Sequence, residues 1–396
     1  MSQFELNMQI VDNAHLQPQR DPQFNAEAAR QARRFHRTLS GYAPTPIYAL
    51  DNFARALGVS KVLVKDESQR FDLNAFKMLG GTWAIARLLC KVWQLNIADF
   101  SFDAFRQLAH PPLTFATTTD GNHGRGVAWA ARALGQKAVI YMPKGSSSAR
   151  VRHITDLGAE CIVTDMNYDD TVRLTQRQAE QHGWHVVQDT AWEGYEEVPR
   201  WIMQGYATLA DEAVEQMEHP PTHVLLQAGV GAMAAGVLGY LVDHYGPGSV
   251  RAIVVEPDRA DCLYRSGQQG SIVNVGGEMN TIMAGLACGE PNPLGWPLLR
   301  NNVNHFISCE DRVAALGMRV LGNPLGNDAR IISGESGAAC FGVLASLLHH
   351  PQSAALKERL QLTPESRVLV ISTEGDTDPQ HYREVVWEGK DGITHN

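Results

Sequence analysis

The chain has 396 residues, 44% of them apolar and 19% charged, with a formal net charge of −9. That balance belongs to a folded globular protein long enough for more than one domain, and it excludes a disordered or coiled-coil chain. The negative charge, with no concentrated basic run, removes the attraction to phosphate backbones on which non-specific nucleic-acid binding depends, so nucleic acid is not expected as a partner.

The N-terminal segment carries Glu5 and Asp12 and lacks both a basic start and an apolar core. It is not a secretory leader, and a cytoplasmic location is expected. The longest apolar stretch, residues 230–242, is interrupted by Gly231, Gly236 and Gly239 and is too short for a bilayer, so no membrane partner is expected. The six cysteines are widely spaced with no C-x-x-C. They indicate neither a disulfide framework nor a zinc knuckle, and no metal site is assigned. Cys262 and Cys288, flanking a glycine-rich segment, are the one pair that invites a question about redox chemistry.

Short β-branched runs predict strands at 62–64, 138–141, 161–163, 185–187, 224–226, 252–255 and 368–371. Continuous apolar strands separated by amphipathic segments predict parallel sheets flanked by helices on both faces, the α/β class.

The first segment with chemistry ends at Asn74-Ala-Phe-Lys77. Leu79, Trp83, Ala86 and Cys90 follow at helical spacing, so Lys77 opens a helix. The positive end of a helix dipole disfavours an ammonium, which suits a lysine acting as a Schiff-base nucleophile. A solvated lysine would read the same, and Lys77 counts only in company. The company begins at Thr117-Thr118-Thr119-Asp120-Gly-Asn122-His-Gly-Arg-Gly126, which opens a second helix running through Val127, Ala131 and Leu134 to a stop at Gly135. Its hydroxyls and free amides suit a carboxylate, and Asn122 offers a donor to a phenolate oxygen, although a polar capping loop looks similar. Asp189 then falls at a predicted strand end, in Val187-Gln-Asp-Thr-Ala-Trp192.

Further along, Gly229-Val230-Gly231-Ala232-Met233-Ala234 lies between a strand and a helix. Glycines admit an oxyanion close to the backbone, and the free amides at a helix start attract phosphate. The same string fits a dinucleotide fingerprint, with Glu256 at the next strand end as the ribose-binding acid; on that reading the chain is a nicotinamide-dependent dehydrogenase. Glycines for tight helix–strand packing are the bland reading. Near the C-terminus, Ser372-Thr373-Glu-Gly-Asp-Thr-Asp378 follows the last predicted strand.

Lys77, the string 120–126, the glycine loop and the string 372–378 occur in the order found in the fold-type II pyridoxal-phosphate enzymes, which this chain resembles over roughly residues 40 to 380. Members usually read Ser-Phe-Lys and Ser-Ala-Gly-Asn-His, so Ala75 and Asp120 are departures. Asp120, the 187–192 string and the ending His381-Tyr-Arg-Glu-Val-Val-Trp387 are similar to the diaminopropionate ammonia-lyase branch.

The resemblance implies a two-domain, tryptophan synthase β-like architecture. Residues 1–83 and 197–396 would form the larger, cofactor-binding domain and 84–196 the smaller one, with pyridoxal 5'-phosphate in the cleft and a homodimer as the assembly. It implies that Lys77 holds the cofactor and serves as a base at Cα. Asn122 would contact the ring phenolate, the amides from Gly229 to Ala234 the phosphate, and Ser372 or Thr373 the pyridine nitrogen. Thr118, Thr119 and Asn122 would bind the carboxylate of a small amino acid. Asp120, as base or partner for a second ammonium, and Asp189 complete the catalytic set. The implied reaction is α,β-elimination of ammonia from 2,3-diaminopropionate to give pyruvate and ammonia; a serine or threonine dehydratase is the alternative within the fold.

Overall fold

The computed structural model describes residues 7–107, 110–119 and 121–392. Within them eleven strands form two sheets: β1 (Met8–Asp12), β2 (Ile47–Ala49), β3 (Lys61–Asp66), β4 (Thr114–Thr118), β5 (Lys137–Met142), β6 (Glu160–Val163), β7 (His185–Val186), β8 (His223–Gln227), β9 (Arg251–Pro257), β10 (Val303–Cys309) and β11 (Arg367–Ser372). The larger sheet runs β1-β10-β9-β8-β11-β3-β2 and the smaller β6-β5-β4-β7. The smaller is wholly parallel. The larger is parallel through its five inner strands, whereas β1 and β2 lie antiparallel at its two edges.

The inner strands are apolar throughout because both faces are covered. Along β8, β9 and β11 alternate residues enter opposite cores: Val224, Leu226, Ala252, Val254, Leu369 and Ile371 one, Leu225, Ile253, Val255, Val368 and Val370 the other. The first of these cores is continuous with Phe115 and Ile140 of the smaller sheet. All seven predicted strands are present. Four went unread: β1 and β2 are half-exposed edges, β2 has only three residues, β4 has threonine at three of its five positions, and β10 carries the polar pair Asn304-His305 directly after Val303. No described helix is long and apolar enough to cross a membrane.

The chain leaves the larger sheet after β3, builds the smaller sheet, and returns through the helix Glu197–Gln216 to β8. The helix Met78–Val92 runs through the border expected between residues 83 and 84. Three helices pack on one another through glycines. A Cβ on Gly205 would stand 2.6 Å from the Leu79 carbonyl oxygen, and one on Gly126 would stand 2.7 Å from Met78 Cα. The helix Asn122–Ala133 is thus pressed against the residue next to Lys77. It ends as expected: Gly135 takes φ +67°, its amide reaches Arg132 O at 3.1 Å, and that of Gln136 reaches Ala131 O at 2.7 Å, a Schellman ending.

Gly236 makes the closest helix contact near the glycine loop. A Cβ there would lie 2.3 Å from the Met203 carbonyl oxygen, a backbone atom with no rotamer to change. Gly236→Ala is therefore expected to destabilise the protein by about 1–3 kcal/mol, as overpacking does, seen as a lower urea midpoint at unchanged m-value. An unchanged midpoint would mean that these two helices separate without cost.

Candidate active site

The loops that leave the carboxyl ends of β3, β4, β7, β8 and β11 converge on one cavity, where an α/β sheet places its ligands. Its wall includes Lys77, Asn122, Asp189, residues 229–233 and Thr373.

The segment before Lys77 is anchored by charges out of contact with water. Lys65 Nζ donates to Glu212 Oε2 at 2.8 Å, and Arg70 reaches Glu67 and Glu212, each at 2.8 Å. Removing one partner of such a network leaves a buried charge uncompensated, which is costly. From this anchor Phe71, Asp72 and Asn74 take positive φ of 51°, 57° and 58°. Side chains adopt that region rarely, and such strain concentrates at functional sites. The turn is stitched to the 372–376 loop: Phe76 N donates to Thr373 O at 3.2 Å and Gly375 N to Asn74 O at 3.0 Å. Lys77 is delivered at the start of its helix, where the sequence placed it.

Lys77 Nζ lies 3.4 Å from Asp189 Oδ2. Asp189 is 4% exposed and also accepts from Tyr168 and from Gln188 Nε2 at its other oxygen. Burial by itself would push this carboxyl up, but the Lys77 ammonium, His123 and the Tyr168 hydroxyl outweigh it and hold the carboxyl below its ordinary range. Across the cavity Gly231, at φ +89°, ends the loop after β8 and starts the helix Ala232–Tyr245. The amides of Ala232, Met233 and Ala234 have no helical carbonyl behind them. Nor do the amides from Gly229 to Ala234 find another acceptor among the described residues. A Cβ on Gly229 would stand 3.1 Å from Cys288 Sγ and 3.2 Å from Gly285 O. A buried row of amides with bare backbone at its rim fits the phosphate of pyridoxal phosphate, and Lys77 stands across from it. Ala234 itself is not in the wall.

The two hydroxyls proposed for the pyridine nitrogen separate cleanly. Ser372 Oγ turns to Ser333 Oγ at 2.8 Å, outside the wall, whereas Thr373 lines it. Gln227 Nε2 donates to Ile371 O at 2.8 Å, which fixes it as a donor, and it also donates to Thr373 Oγ1 at 3.0 Å. The proton of Thr373 is left to point elsewhere. Thr118 and Thr119 are not in the wall. Thr118 Oγ1 bonds Thr175 at 2.7 Å, and Thr119 Oγ1 accepts the amides of Gly121 and Gly124, each at 2.9 Å, so these hydroxyls cap and pack rather than face the cavity. Asp120 lies outside the described residues.

Several wall residues had escaped notice. Gln227 lies two residues before Gly229, and Glu374 sits inside the 372–378 string, so both adjoin motifs legible in the sequence. Ser336 and the Gly285-Leu286-Ala-Cys288 segment arrive only by tertiary folding. The dehydrogenase reading is corrected here. Glu256 is completely buried, and its carboxylate accepts the amides of Leu263 at 2.9 Å and Tyr264 at 2.6 Å, so it caps a helix where a ribose has no access. Cys262 and Cys288 are both buried, and no disulfide joins them.

The family described as pyridoxal-phosphate dependent enzymes matches residues 38–374. The chain is 66% identical over 396 residues to the diaminopropionate ammonia-lyase of Escherichia coli strain K12, covering 99% of this chain and 100% of that protein. It is 50% identical over 380 residues to the diaminopropionate ammonia-lyase of Salmonella typhimurium strain LT2, covering 92% and 93%. The crystal structure of the Escherichia coli enzyme in complex with D-serine matches with a TM-score of 0.96 at 65% identity, over 99% of this chain and 100% of that one.

Proposed function

This chain belongs to the pyridoxal-phosphate dependent enzymes, and we propose from that premise that it eliminates ammonia from 2,3-diaminopropionate, giving pyruvate and two molecules of ammonia with uptake of one water. The observation that carries the reading is that the Lys77–Asp189 pair and a row of backbone amides with no acceptor among the described residues line one cavity. When bound, pyridoxal phosphate supplies an electron sink conjugated to the substrate's Cα.

The chain's own residues do the rest. Lys77 would hold the cofactor, and its amine would take the proton from the substrate's Cα. Asp189, ionised and buried beside it, keeps the Lys77 amine in place and stabilises it when it carries that proton. The amides from Gly229 to Ala234 grip the phosphate, and Asn122 donates to the ring oxygen. Thr373, its oxygen already occupied by Gln227, donates its own proton to the pyridine nitrogen. A hydroxyl donor leaves that nitrogen uncharged, so electron density stays near Cα and Cβ and elimination is favoured over transamination. With Thr118 and Thr119 turned inward, the substrate carboxylate falls to Asn122 and the amides that open its helix. A carboxylate at Asp120 suits a substrate that brings a second ammonium. The proposal includes a cytoplasmic homodimer, the setting that the family resemblance implies.

Comparing diaminopropionate, serine and threonine as substrates tests the reading. Pyruvate and ammonia are expected from diaminopropionate with kcat/KM at least about tenfold above either hydroxyamino acid. Faster turnover of serine or threonine would make the chain a dehydratase.

A further inference from the structure

Glu374 has no part in the reaction as described, yet its carboxylate stands in the wall of the catalytic cavity, 5% exposed. Asn122 and Ser336, both described residues, donate to it. The amide of Ser336, in the first turn of the helix Glu335–Ser346, reaches Oε1 at 3.1 Å, and Asn122 Nδ2 donates to Oε2. Its backbone is tied on both sides, by a bridge to Ala75 and by the bond from Gly334 N to Glu374 O at 2.9 Å. A Cβ on Gly334 would stand 3.0 Å from Glu374 Cγ, so bare backbone lets the side chain lie against the helix start. The carboxylate is a fixed object.

Among the described residues nothing else holds the Asn122 side chain. A side-chain amide carries two N–H bonds and one oxygen in a plane, and a half-turn exchanges donor for acceptor. Untethered, Asn122 presents its oxygen to the cavity as readily as its nitrogen, and an oxygen facing a phenolate is repelled. Since a carboxylate accepts and never donates, Glu374 selects the orientation in which Nδ2 faces it. The second N–H is then left for the cavity.

We propose that Glu374 is a positioning residue that holds the Asn122 amide so that its remaining N–H meets the ring oxygen of the bound cofactor. This rests on the reading that Asn122 contacts that oxygen. The effect is read through a hydrogen bond to a charged acceptor, so losing it should cost about tenfold in cofactor affinity.

The test is a double-mutant cycle on holoenzymes: wild type, Asn122→Ala, Glu374→Ala and the double variant. The readouts are cofactor release at dialysis equilibrium and the pH titration of the visible absorbance of bound cofactor. Glu374→Ala is expected to weaken retention and move the titration in the same direction as Asn122→Ala, and to add nothing when Asn122 is already gone. Additive losses would assign Glu374 to capping its helix through Ser336 and overturn the proposal. An altered Asn122→Ala enzyme beside an unaltered Glu374→Ala enzyme would overturn it alone. An unaltered Asn122→Ala enzyme would remove the underlying reading of Asn122, and the proposal with it. Should Glu374→Ala fail to accumulate as folded holoenzyme, the near-isosteric Glu374→Gln takes its place in the cycle under the same criterion of additivity.

Discussion

Lys77→Ala is expected to abolish turnover, with a loss of at least about 10⁴-fold, the upper end for a positioned base, because the same amine also holds the cofactor. Among the described residues Lys77 is the only lysine in the cavity wall. Lys65, the other lysine of that segment, is completely buried and committed to Glu212, so it offers no substitute. Purified Lys77→Ala protein should lose the visible absorbance of covalently held cofactor while keeping its fold, since the Lys77 side chain makes no capping hydrogen bond to the helix Met78–Val92. Borohydride treatment of the wild-type protein followed by peptide mapping should place the label on Lys77. Label on another lysine, or turnover within about tenfold of wild type, would break the mechanism at its first step.

Why was this much of the site legible in the sequence? Lys77, Asn122 and the loop from Gly229 to Met233 announce themselves because their chemistry is local: each lies where a strand or loop hands over to a helix, and helix starts are readable from glycine, capping residues and apolar spacing. The inner strands were legible for a related reason, since burial on both faces leaves an unbroken apolar run. What stayed hidden is tertiary. Whether Ser372 or Thr373 faces the cavity depends on the twist at the end of β11 and on Ser333, far away in sequence. Thr118 and Thr119 look like ligands beside a glycine loop, yet Thr175 and the amides of Gly121 and Gly124 claim their oxygens. Glu256 resembled a ribose acid for the same reason: its spacing was visible and its helix amides were not.

The geometry around Lys77 also sharpens what Asp120 should do. On the proposed mechanism Lys77 would serve one face of a planar cofactor, so it would take the Cα proton of only one enantiomer, expected to be the L form. Asp189 is no help with the other, because it lies 3.4 Å from Lys77 Nζ and is occupied with it. Elimination from D-diaminopropionate needs a base on the opposite face. D-serine is bound in the crystal structure of the Escherichia coli relative, so a D-configured amino acid is accommodated in that architecture. Asp120 is the carboxylate by which this chain departs from the dehydratase pattern, in the loop that opens the Asn122 helix. Asp120→Asn is therefore expected to lower kcat/KM for D-diaminopropionate by about 10²–10⁴-fold, the contribution of a positioned base, and to lower that for the L form clearly less. Asp189→Asn should show no such preference, since the Lys77 amine it supports also holds the cofactor for both enantiomers. Equal losses on the two enantiomers in Asp120→Asn would assign that carboxylate to the second ammonium, which both forms carry. No loss on either would leave Asp120 as a cap for the helix that follows, and the base for the D form would have to be another residue.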